Sequence, residues 1–304
     1  VYFTGNRHVA VGVKDEGTVL VLEDAVVRDT YGRGHDDAFG RGLEAGGGAQ
    51  VEARRVLFDR NREVGMMATG AGTTLTLFDV VVQNTLSGDG GAYAGQGGRG
   101  LEVSGGAHAE VDRVLSLGNR EIAVMIGDEG TSAAIEDITV CDTRSGEVTG
   151  TFGRGIESMR GAQVEVHRGT FERNRDLGVA AFGPGTSVTM ADVLVRETLE
   201  RECATDACRR FGAGTGVGSY DGAQVDMARF FISYNALCGI QVAPGTDEDG
   251  APSLECGTMD LHHGEVAWNA VCGANVQCAG FAIDRLLDDV LFHDNAGTNL
   301  DMTE

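Results

Sequence analysis

A histidine followed by two aspartates, His35, Asp36 and Asp37, brings an imidazole beside two carboxylates, a set suited to acid–base catalysis or to holding calcium. Three more acids occupy matching places: Glu44 in GRGLE (40–44), Glu102 in GRGLE (98–102) and Glu157 in GRGIE (153–157). The segments just before these motifs carry Tyr31, Phe39, Tyr93, Phe152 and Phe211, rings able to stack on sugars. The ordinary alternatives stand beside these readings. His35, Asp36 and Asp37 fit a solvated loop, Phe39, Phe152 and Phe211 each precede a Gly-x-Gly and fit loop anchors, and three equal glutamates fit repeat copying. A fourth copy has Gly218 in the glutamate's place, and DEDG (247–250) lacks the ligand order of an EF-hand loop.

The elements that position these residues form a repeat. Asn6 to Thr30, Asn61 to Thr85, Asn119 to Thr143 and Asn174 to Thr198 each span 24 residues, and Asn235, Asn269 and Asn295 continue the series. After each Asn, apolar residues alternate: Val64, Met66, Ala68; Ile122, Val124, Ile126; Leu177, Val179, Ala181; Cys238, Ile240, Val242. Period two marks a strand with one buried face. A Gly-rich turn, a second alternating pair, a corner and a third pair follow, so three short strands per coil are expected. Strands this short cannot close a core alone, and no helical period supplies crossovers. Stacking the coils with parallel strands about 4.8 Å apart buries the inward residues in columns and pairs the backbone. Glu44, Glu102 and Glu157 then share an outward column at about 9 to 10 Å, near the carboxylate separation of inverting glycosidases. The repeating Asn61, Asn119, Asn174 and Asn235 fit left-handed backbone and amide bonds to the Asn or Thr of the adjoining coil.

The pattern Asn-x-x-x-Gly-apolar-x-apolar, as in NREVGMMA, NRDLGVAA and NALCGIQV, resembles the right-handed parallel β-helix repeat family, the pectin-lyase-like superfold. The resemblance covers essentially the whole chain and implies an all-β solenoid of about ten coils over residues 1–304, taken as a segment of a longer chain. It implies little about activity, because polysaccharide lyases, hydrolases, epimerases, adhesins and proteins without known activity share that fold. Pectate-lyase-like catalysis needs calcium-binding aspartates beside a base, and no residue of this chain matches that set.

Six residues before each Asn or Thr landmark, the charge alternates: Asp24, Arg55, Asp79, Arg113, Asp137, Arg168, Asp192, Arg229, then His263 and Asp289. Stacked at the coil spacing, each Arg lies between two carboxylates and resists a one-coil slip, since like charges would then meet. A site is needed once, whereas this pattern recurs, so it reads as structural.

With 24 basic and 46 acidic residues the net charge is −22, which argues against nucleic acid and against polyanionic sugars unless a cation such as calcium bridges them. The hydrophobic share of 42% supports a continuous core, and no apolar run is long enough to span a membrane. CATDAC (203–208) reads as a disulfide, Cys203 to Cys208, and with it an oxidising, extracellular or cell-surface setting. Cys238 and Cys272 stack at one inward position, as a disulfide or as buried thiols, while Cys256 with Cys278 is the favoured second bridge. No Cys-x-x-Cys pair or helical His pair suggests zinc.

The functional expectation is a structural, adhesive or ligand-presenting segment. The alternative is a carbohydrate-active enzyme or glycan-binding module acting through the loops that precede the GRG motifs. Polysaccharide or a cell-surface protein is the expected partner, and the exposed coil ends allow end-to-end self-association.

Overall fold

A computed structural model describes residues 1–90, 94–203, 208, 213–246 and 252–302. Its strands fall alternately into two sheets, so each coil gives one short strand and one long one. Typical short strands are Arg41–Gly46, Val64–Thr69, Arg99–Ser104, Ile122–Gly127 and Arg154–Met159, and typical long ones Gln50–Asp59 and Thr74–Gln83. Successive coils pair in parallel, and the one antiparallel pairing among described residues sets Pro252–Cys256 against Cys238–Thr246. The chain is a parallel β-helix.

Three strands per coil were expected, and the structure has two. The second and third are one long strand bent at its middle. Glu23 pairs with Arg54 and Ala25 with Val56, while Asp24 and Arg55, between them, take left-handed backbone with φ of 49° and 52°. All eight residues of the alternating-charge series make this bend, with φ between 49° and 58°. Of its two neighbours in the series each arginine closes on one aspartate, that of the coil before; Arg55, Arg113 and Arg168 also bond Glu23, Asp112 and Glu136 beside the bend. The contacts are Arg55–Asp24 2.7 Å, Arg113–Asp79 2.7 Å, Arg168–Asp137 2.6 Å and Arg229–Asp192 2.7 Å. Both guanidinium faces cannot be planar with two carboxylates one coil apart, so the two-pronged bond goes one way.

The core is a set of columns. Leu43, Met66, Leu101, Val124, Ile156, Val179, Val217 and Ile240 follow one another in register and are fully buried. Burying each such side chain contributes about 1.5–3 kcal/mol.

The asparagines are corrected in one respect. Left-handed backbone falls on the residue before, Arg60, Gly118, Arg173 and Tyr234, not on the asparagine itself. The buried amides do bridge coils. Asn174 accepts from the Thr143 amide at 3.3 Å and hydroxyl at 2.6 Å and donates to the Val140 carbonyl at 3.1 Å. Asn61 does the same with Thr30 and Val27, Asn119 takes Thr85 and Val82, and Asn235 accepts from Thr198.

Three disulfides form: Cys203–Cys208, Cys256–Cys278, and Cys238–Cys272, which joins adjacent coils across a Cα separation of 4.5 Å. Stacked cysteines were open between thiols and a bridge, and the bridge is present. Cys141 is a free, half-buried thiol. No described helix is long and apolar enough to cross a membrane.

Candidate functional site

The loops before the GRG motifs touch in sequence along one side. A β-carbon on Gly90 would lie 2.8 Å from the Asp36 carbonyl oxygen, and one on Gly95 would lie 2.1 Å from Val148 Cγ2. The Ser145 amide donates to Glu202 at 3.2 Å. Successive loops therefore make a continuous border to the outer face of the short-strand sheet.

Along that face, register places Glu44, Met67, Glu102, Met125, Glu157, Ala180 and Gly218 in one column. Each glutamate accepts from the arginine of its own motif: Arg41–Glu44 2.8 Å, Arg99–Glu102 2.7 Å and Arg154–Glu157 2.5 Å. Glu102 and Glu157 are buried beneath the loops. At Gly218 the missing side chain leaves room for the Tyr220 ring, which stacks on Phe182 and donates to Gln241 at 2.9 Å.

A second column of acids flanks the first. Glu63, Glu121 and Asp176 are buried and take left-handed backbone, with φ of 59°, 53° and 60°. In the outer two copies the motif arginine closes on them, Arg41–Glu63 at 2.6 Å and Arg154–Asp176 at 2.9 Å, and Arg201 adds a bond to Asp176 at 2.7 Å. The middle copy differs. Among the described residues Glu121 has no arginine partner; the buried Nε of Arg99 is unpaired, as is that of Arg41 in the first copy. Burial pushes the Glu121 carboxyl up, and neighbouring Glu157 adds to this, against the opposing pull of the Gly97 amide and the Arg99 charge. At Arg154 the opposite holds. Burial would lower its pKa, but Glu157 and Asp176 outweigh it and hold the guanidinium charged.

The difference starts in the loop. Phe39 and Phe152, also left-handed at φ of 68° and 63°, lay their rings over Arg41 at 4.6 Å and Arg154 at 4.9 Å. Gly97 stands in their place before Arg99, and its amide turns to Glu121. The next residue must be glycine in each copy: at Gly98 a β-carbon would lie 2.6 Å from that of Arg120, with φ at 95°. Beside this break lies a cavity of about 410 Å³ lined by Arg99, Glu121, Met125, Phe152, Arg154 and Glu157. A buried acid with a raised pKa, an incompletely bonded arginine and an aromatic edge form a place for a polar ligand with hydroxyl or carboxyl groups.

The other expected residues fall elsewhere. Asp36 is held by Arg33 at 2.5 Å, which keeps its carboxyl below the ordinary range, and it caps the Ala38 amide. His35 is exposed and 3.6 Å from Asp36, Asp37 is 3.9 Å from Arg7, and Tyr31 is exposed. None of them reaches the cavity. Tyr93, Phe211 and 247–250 lie outside the described residues. Among the described residues no group of three or more His, Cys, Asp or Glu side chains is placed to hold a metal ion. Sequence reasoning passed over Glu121, Arg99 and Arg154. The available signal was the departure of the middle copy, Gly97 for Phe39 and Phe152, and Ala123 for Gly65 and Gly178.

No family model matches the sequence, and no curated protein matches it. Among solved structures the chain is similar to pectate lyase Pel9A, with a TM-score of 0.60 and 13% identity over 95% of this chain and 69% of that one. At that identity the likeness is one of fold, two parallel β-helices of stacked coils.

Proposed function

We propose that this chain is a ligand-presenting β-helix of a secreted or cell-surface protein, which binds a glycan in the cavity at Glu121 without cleaving it. The observation that carries the reading is the break in an otherwise uniform ion-pair system. In two copies the motif arginine, Arg41 or Arg154, bonds the flanking acid, whereas in the middle copy, among the described residues, Arg99 and Glu121 form no ion pair and leave their charges for a ligand. Phe152 and Phe182 line the same cavity, each with the Arg154 guanidinium against its ring. Glycoside hydrolysis takes two carboxyl groups with separate tasks. Here the second one, Glu157, is held by Arg154. Three disulfides suit an oxidising compartment.

Cleavage is the second reading, favoured by one observation: the raised pKa of Glu121 is what a general acid needs. A panel of neutral and uronate polysaccharides, with calcium and with chelator, separates the two. Binding without new reducing ends or unsaturated products supports presentation, and cleavage lost in Glu121→Gln moves the chain to the enzymes. Neither binding nor cleavage by folded protein removes both readings.

A further inference from the structure

A different strip of the surface carries a second inference, independent of the glycan reading. Beyond the bend of each long strand, the outward position holds Val26, Leu57, Val81, Leu115, Leu194 and Phe231, in register and half-buried, with Thr139 and Thr170 between. Three shallow hollows of about 310, 460 and 580 Å³ follow this column from Val26 through Leu194 to Leu291, the last of them holding Glu265, which stands in register between Phe231 and Leu291 and bonds His293. An apolar column of this length on a soluble surface marks an interaction face.

Charge narrows the occupant. The bend column beside the strip carries four aspartates and four arginines from Asp24 to Arg229, and the column on its other side carries the pairs Asp29–Arg60 and Asp142–Arg173. Arg28, Asp59, Glu172, Arg196 and Glu197 add two positive against three negative, and Glu23, Asp112 and Glu136, bonded to the bend arginines Arg55, Arg113 and Arg168, add three more negative, leaving a net −4. The whole chain carries −22, so most of its acidity lies on other faces. A basic partner would be drawn to those faces and not to this one.

We propose that this strip is the interface of a side-by-side homodimer. Two copies of so acidic a chain can approach where aspartates alternate with arginines, so that attraction offsets repulsion along the column. A two-fold axis perpendicular to the solenoid lays the apolar columns antiparallel against each other. Because Asp and Arg alternate coil by coil from Asp24 to Arg229, full overlap of these eight coils sets arginines of one copy opposite aspartates of the other. A strip about 40 Å long and about 15 Å wide would bury on the order of 1,200 Å² in total, at the low end of specific interfaces.

Light scattering behind gel filtration over a concentration series tests this. The expected result is a mass rising from one copy to two, with Leu115→Glu combined with Leu194→Glu remaining a single copy. Ala134→Glu, exposed on the other half of a long strand, should leave the dimer unchanged. If the double variant loses its β-sheet circular dichroism, Leu115→Ser with Leu194→Ser takes its place. A single copy at every concentration overturns the proposal, and so does a dimer that survives either folded double variant.

Discussion

Arg99 and Glu121 face one cavity without closing an ion pair, whereas Arg154, built on the same motif, holds Asp176 at 2.9 Å. A repeat that copies its ion pairs makes a scaffold, and the middle copy, where among the described residues Arg99 and Glu121 form no pair, is where a ligand's polar groups can bond them. The asymmetry comes from Gly97, which lacks the ring that Phe39 and Phe152 lay over their arginines.

Glu121 is an acid whose folded pKa lies above its unfolded one, so its ionisation opposes folding. The cost is absent below the ordinary carboxyl range, grows as pH rises through it, and is complete above the folded pKa. Glu121→Gln, which keeps an acceptor for the Gly97 amide, should therefore melt higher than the parent at neutral pH and equal it in acid. Thermal unfolding across that pH range checks this, and a lower melting temperature at neutral pH contradicts it.

Asn174→Ala removes the acceptor of two Thr143 donors and the donor to Val140, all in the interior. Leaving such groups unpaired costs about 2–4 kcal/mol. A urea midpoint displaced by that amount, with unchanged slope, is expected.

Arg113 bonds Asp79 on an exposed edge, so Arg113→Ala should leave the melting temperature close to the parent value. Arg113→Asp instead sets three carboxylates in a row with Asp79 and Asp137. Its melting temperature should drop at low salt and recover as salt is added, since screening acts on exposed charges. Equal behaviour of the two variants would remove the role in register.

Cys238–Cys272 closes 34 residues and Cys203–Cys208 closes 5. On loop-closure entropy alone, replacing the first pair with alanine should cost about 4 kcal/mol and the second about 2 kcal/mol. Denaturant titration of the two double variants orders them.

The coil architecture was legible because its signals are local and repeated: alternation in Val64, Met66 and Ala68, and landmarks spaced by 24 residues. The single bent strand was not, because a residue such as Asp24 in left-handed backbone interrupts one pairing while the ladder resumes at Ala25. The asparagine's partners were readable from its chemistry, but the left-handed residue was misplaced by one, since Arg60 and Tyr234 are not types that favour that geometry. The site stayed hidden for another reason. Glu63, Glu121 and Asp176 look equivalent in sequence, and only the route of the loop before each arginine decides which is left open.

The central claim is met most directly by titrating the folded chain and Glu121→Gln with the polysaccharides of the panel by calorimetry, while monitoring reducing ends and unsaturated products. The account expects at least one glycan to bind the parent, binding to weaken at least tenfold in the variant, and no new ends to form. Equal binding by both proteins, or products released by the parent alone, would contradict it.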